Sequence, residues 1–261
     1  DDKEGAVRMK WNHQYIINST LKGEHAFLEN NVLRLNWSAV LSKAYSETPD
    51  NTEIYMQGTH LQNTNSAIRR WEHNSDKDKA GYVDLMYKWN LGGGSVLDFS
   101  VGGMYRDKKR DSFFNEYTFD SATGSKDPQY QGTDWNNYDE LLFAARKYGN
   151  ISDPLNYDAT EKIGAGYGMV KYTYGRWELI GGVRVEHTNQ GYTLKFPTES
   201  ADPKGNQKYT DVLPSFHAKY GVHENANLRL SYARSINRPS FFEIVPYSII
   251  NEDYKEKGNP D

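Results

Sequence analysis

The sequence predicts an all-β fold of antiparallel strands that cross a membrane, and three observations predict it. About eight runs alternate apolar and polar residues with the period of a strand. The gaps between runs are alternately short and long, as antiparallel strands with tight turns at one end and long connections at the other require. No apolar run approaches the ~20 residues of a spanning helix, whereas a spanning strand needs apolar residues only at alternate places over about 9 to 11 positions. A mean hydropathy of -0.86 therefore excludes a helical membrane protein and leaves a barrel open.

The runs follow in order. Tyr15, Ile17, Ser19 and Leu21 make a weak first one, and Leu33, Leu35, Trp37, Ala39 and Leu41 a clear second. Val83, Leu85, Tyr87, Trp89 and Leu91 give a third, and Leu97, Phe99, Val101 and Tyr105 a fourth. Ile163, Ala165, Tyr167 and Met169 mark the apolar side of a fifth, and Trp177, Leu179, Val183 and Val185 that of a sixth. Phe216, Ala218, Tyr220 and Val222, then Leu228, Leu230 and Tyr232, form a terminal hairpin. Tight turns are expected at 92–94, 175 and 223–225, with 22–30 in the same slot. The opposite faces are hydrophilic, and Asp84, Asp98, Arg184, Glu186 and Arg229 are the candidates to line a wet lumen.

Composition narrows the function. Aromatic residues are 14% of the chain, with 20 Tyr, which fits interfacial girdles. The absence of Cys removes disulfides, thiolate metal sites and a Cys nucleophile. A net charge of -4 argues against nucleic acid as a partner. The chain opens on DDKEG without an apolar signal segment and reads as an internal piece.

No motif points to catalysis. The 7 His are scattered singly, without the HExxH spacing that would set two imidazoles on one helical face. Glu178 and Glu186 share a strand face but lie too far apart for an acid and base pair. The GAGYG stretch places Gly164, Gly166 and Gly168 on the polar face of a strand, not at the helix N-terminus that a phosphate loop requires. No enzyme activity, metal or cofactor is expected.

Recognition belongs on the connections. The stretch 45–79 reads as a loop carrying Tyr55, Arg70 and Trp71, and 107–157 as a loop carrying Tyr130, Trp135 and Tyr138. These six are the candidate ligand contacts, because aromatics among polar residues suit stacking against a sugar or chelate. Leu141, Leu142 and Ala145, with acids before and bases after, predict a short amphipathic helix over 138–148.

The segments LPS (Leu213–Ser215), NLRLSY (Asn227–Tyr232), NRPSFFEIVPY (Asn237–Tyr247) and GNP (Gly258–Pro260) resemble the late barrel strands of TonB-dependent outer-membrane receptors, particularly those of Bacteroidetes. Asn30 to Asn51, Met104 to Phe119 and Tyr157 to Thr188 resemble mid-barrel strands of the same family. The resemblance implies energised nutrient uptake through a bacterial outer membrane by a barrel of about twenty-two strands, of which 1–261 would be part of one domain lacking the plug and the C-terminal strands. It implies as partners outer-membrane lipid, the plug, the TonB motor and a surface lipoprotein. The substrate stays open among iron chelate, cobalamin, glycan and peptide. Two alternatives stand beside it: a non-transporting adhesin or assembly barrel, and a soluble extracellular glycan-binding β-sandwich.

Overall fold

The structure, a computed structural model, describes residues 4–28, 32–57, 60–61, 66–122, 141–145, 155–197, 202–246, 248–250 and 255–259. The strands are β1 (Glu4–Phe27), β2 (Leu33–Gln57), β3 (His60–Leu61), β4 (Ala67–Gly92), β5 (Ser95–Ser121), β6 (Phe143–Ala145), β7 (Tyr157–Tyr174), β8 (Trp177–Leu194), β9 (Lys204–His223) and β10 (Ala226–Ala233). They form one antiparallel sheet in the order β1-β2-β4-β5-β7-β8-β9-β10, with β3 on β2 and β6 on β5. A four-residue helix α1 (Phe241–Ile244) and a separate hairpin of β11 (Ser248–Ile250) and β12 (Lys255–Lys257) follow.

The register aligns the apolar positions. Phe27, Leu33, Tyr87, Phe99, Val170, Gly181, Phe216 and Tyr232 stand opposite one another on successive strands. The parallel row Leu35, Leu85, Val101, Gly168, Val183 and Pro214 lies beside it. Among the described residues nothing covers this face: Val101 is 53% and Leu230 67% exposed. From the tight turns to the last apolar position the band is about nine residues per strand, roughly 30 Å of extended chain, the length of a tilted membrane-crossing strand. An aromatic group of Tyr174, Trp177 and Tyr220 closes its short-turn end, the last two with ring centroids 4.5 Å apart. A sandwich would set a second sheet on this face. Among the described residues there is one ten-stranded sheet, so the sandwich alternative falls.

The turns at 92–94, 175 and 223–225 lie where the sequence puts them, with Gly93, Gly94 and Gly175 at φ of 62°, 80° and 52°. The turn expected at 22–30 starts later, because 22–27 is strand paired with 33–38. Three further expectations are corrected. First, 45–57, 67–79 and 107–121 are strand, not loop. Beyond the band both faces are polar, so hydropathy loses its period of two while the backbone ladder continues. Second, Ile163, Ala165, Tyr167 and Met169 lie on the polar side of β7, and Gly164, Gly166 and Gly168 lie on the apolar side. Gly168 stands between Val101 and Val183, and Tyr167 between Gly102 and Arg184. Third, 143–145 is not helical: Phe143 and Ala145 extend the edge of β5 opposite Ser121 and Phe119, because pairing with an open strand end outweighs a weak helical spacing. Residues 138–140 and 146–148 of that expected helix lie outside the described residues.

Candidate functional site

The polar face is the candidate site. Asp84, Gly102, Tyr167 and Arg184 are opposite one another on four neighbouring strands. The Tyr167 hydroxyl donates to Asp84 Oδ1 at 2.6 Å, its ring lying across Gly102. A Cβ at Gly102 would sit 2.5 Å from both Asp84 Oδ1 and Tyr167 Cε1, so the glycine makes the crossing possible. Asp98 borders a recess of about 330 Å³ with Lys88 and Lys171, and Arg229 another of about 500 Å³ with Glu178 and Lys219. Arg184 donates to Glu186 two residues along its own strand.

Glu186 is buried at 6% exposure and is also held by Arg238, whose Nε donates to Thr188 Oγ1 at 3.2 Å. Arg238 arrives from the segment after β10, which folds back over this face. Gln190 Nε2 donates to the Pro239 carbonyl at 2.9 Å. Ser240 caps α1, with Glu243 reciprocating in a capping box. Phe241, Ile244 and Val245 then bury against Tyr157, Ala159, Tyr192 and Leu194 at the upper ends of β7 and β8. The Phe241 ring is 5.3 Å from Lys108 Nζ and 5.5 Å from Arg110 Cζ, within cation–π range. The NRPSFF segment is thus seated on the polar face. The sequence signal for it is SFFE itself, a capping box among apolar residues.

Above the band this face is laced by ion pairs. Arg106 Nε donates to Asp78 Oδ2 at 2.9 Å and Arg110 Nε to Asp76 Oδ1 at 2.6 Å, beside an open recess of about 460 Å³. Near the tip the register of β2 shifts by one extra residue against both neighbours, between Thr48 and Asn51 on the β4 side and opposite Trp11 and His13 on the β1 side. The extra residue in β2 turns Tyr55 onto the polar face, on the side of Arg70. There Tyr55 donates to Glu53 Oε2 at 2.8 Å, Arg8 lies 2.9 Å from Glu53, and Arg70 Nε donates to Glu116 Oε2 at 2.7 Å. Burial pushes the Tyr55 phenol up from its ordinary value, and the Glu53 carboxylate pushes it further. Asp50 is held below the usual carboxylate range by Arg69, against its partial burial, with Thr52 adding to the effect.

Of the expected ligand contacts, Tyr55, Arg70 and Trp71 lie in β2 and β4, not in loops. Tyr55 and Arg70 share a face. Trp71 is on the other, against Tyr117 at 5.7 Å and Arg69 at 5.2 Å. Tyr130, Trp135 and Tyr138 lie outside the described residues. Asp84, Asp98, Arg184, Glu186 and Arg229 all lie on the polar face. Among the described residues no three acids or histidines are grouped to hold a metal ion.

Comparison with known proteins adds the family context. Residues 147–261 match the model of a family described as outer membrane protein beta-barrel. The chain forms strands of an outer-membrane β-barrel. No curated protein matches its sequence significantly. Solved structures that share the fold include three outer-membrane receptors and transporters. The unliganded ferric citrate transporter FecA matches over 84% of this chain and 27% of its own, with a TM-score of 0.56 at 12% identity. The siderophore receptor PiuA from Acinetobacter baumannii matches over 86% and 32%, with 0.58 at 18% identity. The ferric-catecholate import receptor Fiu from E. coli K12 matches over 86% and 36%, with 0.55 at 16% identity. The chain thus spans about a third of the length of these receptors, and its sheet corresponds to part of a larger barrel wall.

Proposed function

We propose that the chain is barrel wall of a TonB-dependent receptor that draws a nutrient through the outer membrane. One observation carries the reading: a nine-residue apolar band, uncovered on one face, is backed by a charged face that continues well past the band to the strand tips. In this reading the apolar face meets lipid, and Asp84, Asp98, Arg184, Glu186 and Arg229 line the lumen. The long-connection end faces outside, as in outer-membrane barrels generally. Tyr55 and Arg70 stand at the rim on the lumen side, where a phenol and a guanidinium can meet a chelate or sugar. Trp71 belongs to the outer surface. Residues 1–261 belong to one barrel domain, and the plug, the remaining strands and the contact with the TonB motor lie outside them. A surface lipoprotein at the rim would be a further partner.

The ferric-chelate class is the first substrate to test, because the three matched receptors are named for ferric citrate, a siderophore and a ferric catecholate. The host lacking the gene is grown on single sources of ferric citrate, ferric catecholate, cobalamin, oligosaccharide or peptide, with the full-length gene restored in parallel. Loss of uptake of one source, regained on complementation and abolished by a protonophore, is the expected result. Unchanged uptake of every source together with reduced surface adhesion would replace the receptor by the adhesin reading.

A further inference from the structure

We propose that the outward face just above the apolar band is a binding site for phosphate-bearing lipid headgroups of the outer leaflet. This inference rests on the membrane placement of the band and is independent of what the receptor carries. The first outward residues past the band are Lys79 on β4, Asp107 on β5, Lys162 on β7, Asn189 on β8 and Lys208 on β9, each opposite the next. One step further, Lys43, Lys77 and Lys109 stand directly opposite one another on β2, β4 and β5. Like charges so paired across strands destabilise a sheet. Three ammonium groups in a line about 10 Å long, two strand spacings, need a counter-charge.

The protein does not supply it. None of these lysines has a carboxylate within ion-pair distance among the described residues, and all are exposed. The nearest acid in the rows is Asp107, one carboxylate against six lysines. Asp111 and Asp158, one row higher, are taken by Lys195 at 2.7 and 3.9 Å. Lys43 lies over the Tyr15 ring, 5.5 Å away. On the opposite face of the same strands, at the same level, every neighbouring cation is paired: Arg106 with Asp78, and Lys108 and Arg110 with Asp76 at 3.4 and 2.6 Å. Bases are therefore matched with acids inside and left unmatched outside, on the surface continuous with the lipid-facing band. An anionic headgroup at that level supplies the missing charge while its acyl chains lie along the apolar rows.

The test uses the full-length protein in detergent with lipid A as probe, read by native mass spectrometry and by titration of tryptophan fluorescence. Bound lipid is expected on the wild type, with affinity at least tenfold lower for K43Q/K77Q/K109Q and retained in K43R/K77R/K109R. Lipid A stripped of its phosphates is expected to bind the wild type as weakly as intact lipid binds the Gln variant. Free phosphate at millimolar concentration should not displace the lipid. Equal binding by the wild type and a Gln variant of unchanged β-sheet circular dichroism would overturn the proposal, as would indifference to the phosphates or full displacement by free phosphate. Should the Gln variant not fold, the comparison of intact with dephosphorylated lipid on the wild type decides.

Discussion

The β4–β5 and β7–β8 hairpins start alike and end differently. Both leave the short-turn end through glycines at positive φ and cross the same apolar band. β7 and β8 stop at 18 residues each, whereas β4 and β5 run to 26 and 27. The shorter pair ends under a lid of its own chain, where Tyr157, Tyr192 and Leu194 are buried by Phe241, Ile244 and Val245. The longer pair is stiffened by cross-strand ion pairs and by stacked rings such as His73 on Phe113, 4.9 Å apart. Its tip is finished by a small core of Ile54, Met56, Leu61, Ala67 and Leu141. The apolar band sets the lower half of both hairpins. What happens above it is decided locally, by apolar burial in one hairpin and by charge pairing in the other.

The largest effect expected from breaking this contrast is Phe241→Ala. It removes a ring 4% exposed from the cluster over β7 and β8 and should cost about 3 kcal/mol. Hydrogen exchange should report loss of protection at 157–159 and 192–194 with 113–119 unchanged; equal loss in both hairpins would mean that they are not separately held. Gly102→Ala comes next, since its Cβ would strike Asp84, Tyr167 and the Val83 carbonyl, at about 2 kcal/mol in denaturant titration. Tyr167→Phe, which deletes only the hydrogen bond to Asp84, should cost about 1 kcal/mol, and a larger effect than Gly102→Ala would refute the steric account.

For the long hairpin, a double-mutant cycle of Arg70→Ala and Glu116→Ala should yield a coupling below about 1 kcal/mol, because both side chains are about one-third exposed. The smallest effect is that of acid. Asp50 titrates below its ordinary value, so its pair with Arg69 stabilises above the unfolded chain's carboxylate pKa and is lost as pH falls through the lowered one. Amides near Asp50 and Arg69 should exchange faster at about pH 3 than at about pH 6 relative to the rest of β2 and β4, and no change would remove that pair from the account of the tip.

The strands inside the band were legible because lipid on one side and water on the other impose a period of two. The turns at 92–94 and 175 were legible because glycine marks them. The extensions were not: Asp76, Asp78, Arg106 and Arg110 alternate with Lys77, Lys79 and Lys109, so both faces are charged and the stretch reads as a solvated loop. The β7 face was misread for a related reason. Gly164, Gly166 and Gly168 have no side chain to register as apolar, and Ile163 and Ala165 drew the pattern to the wrong side. For the candidate site, alternation alone puts the five charged residues on the polar face. Arg238 and Phe241 escape it, because their roles exist only once the chain folds back over Glu186 and Tyr157.

The register shifts of β2 against β1 and against β4 mark one extra residue in β2, which acts as a parity change. Below them even-numbered residues of β2 face the charged side, and above them odd-numbered ones do, Tyr55 included. One extra residue in β2 therefore re-addresses the side chains of 51–56 without disturbing the apolar rows below, while β1 and β4 keep their parity. Gaining or losing that one residue exchanges the face that the upper part of β2 presents at the mouth, while the apolar rows below keep their alignment.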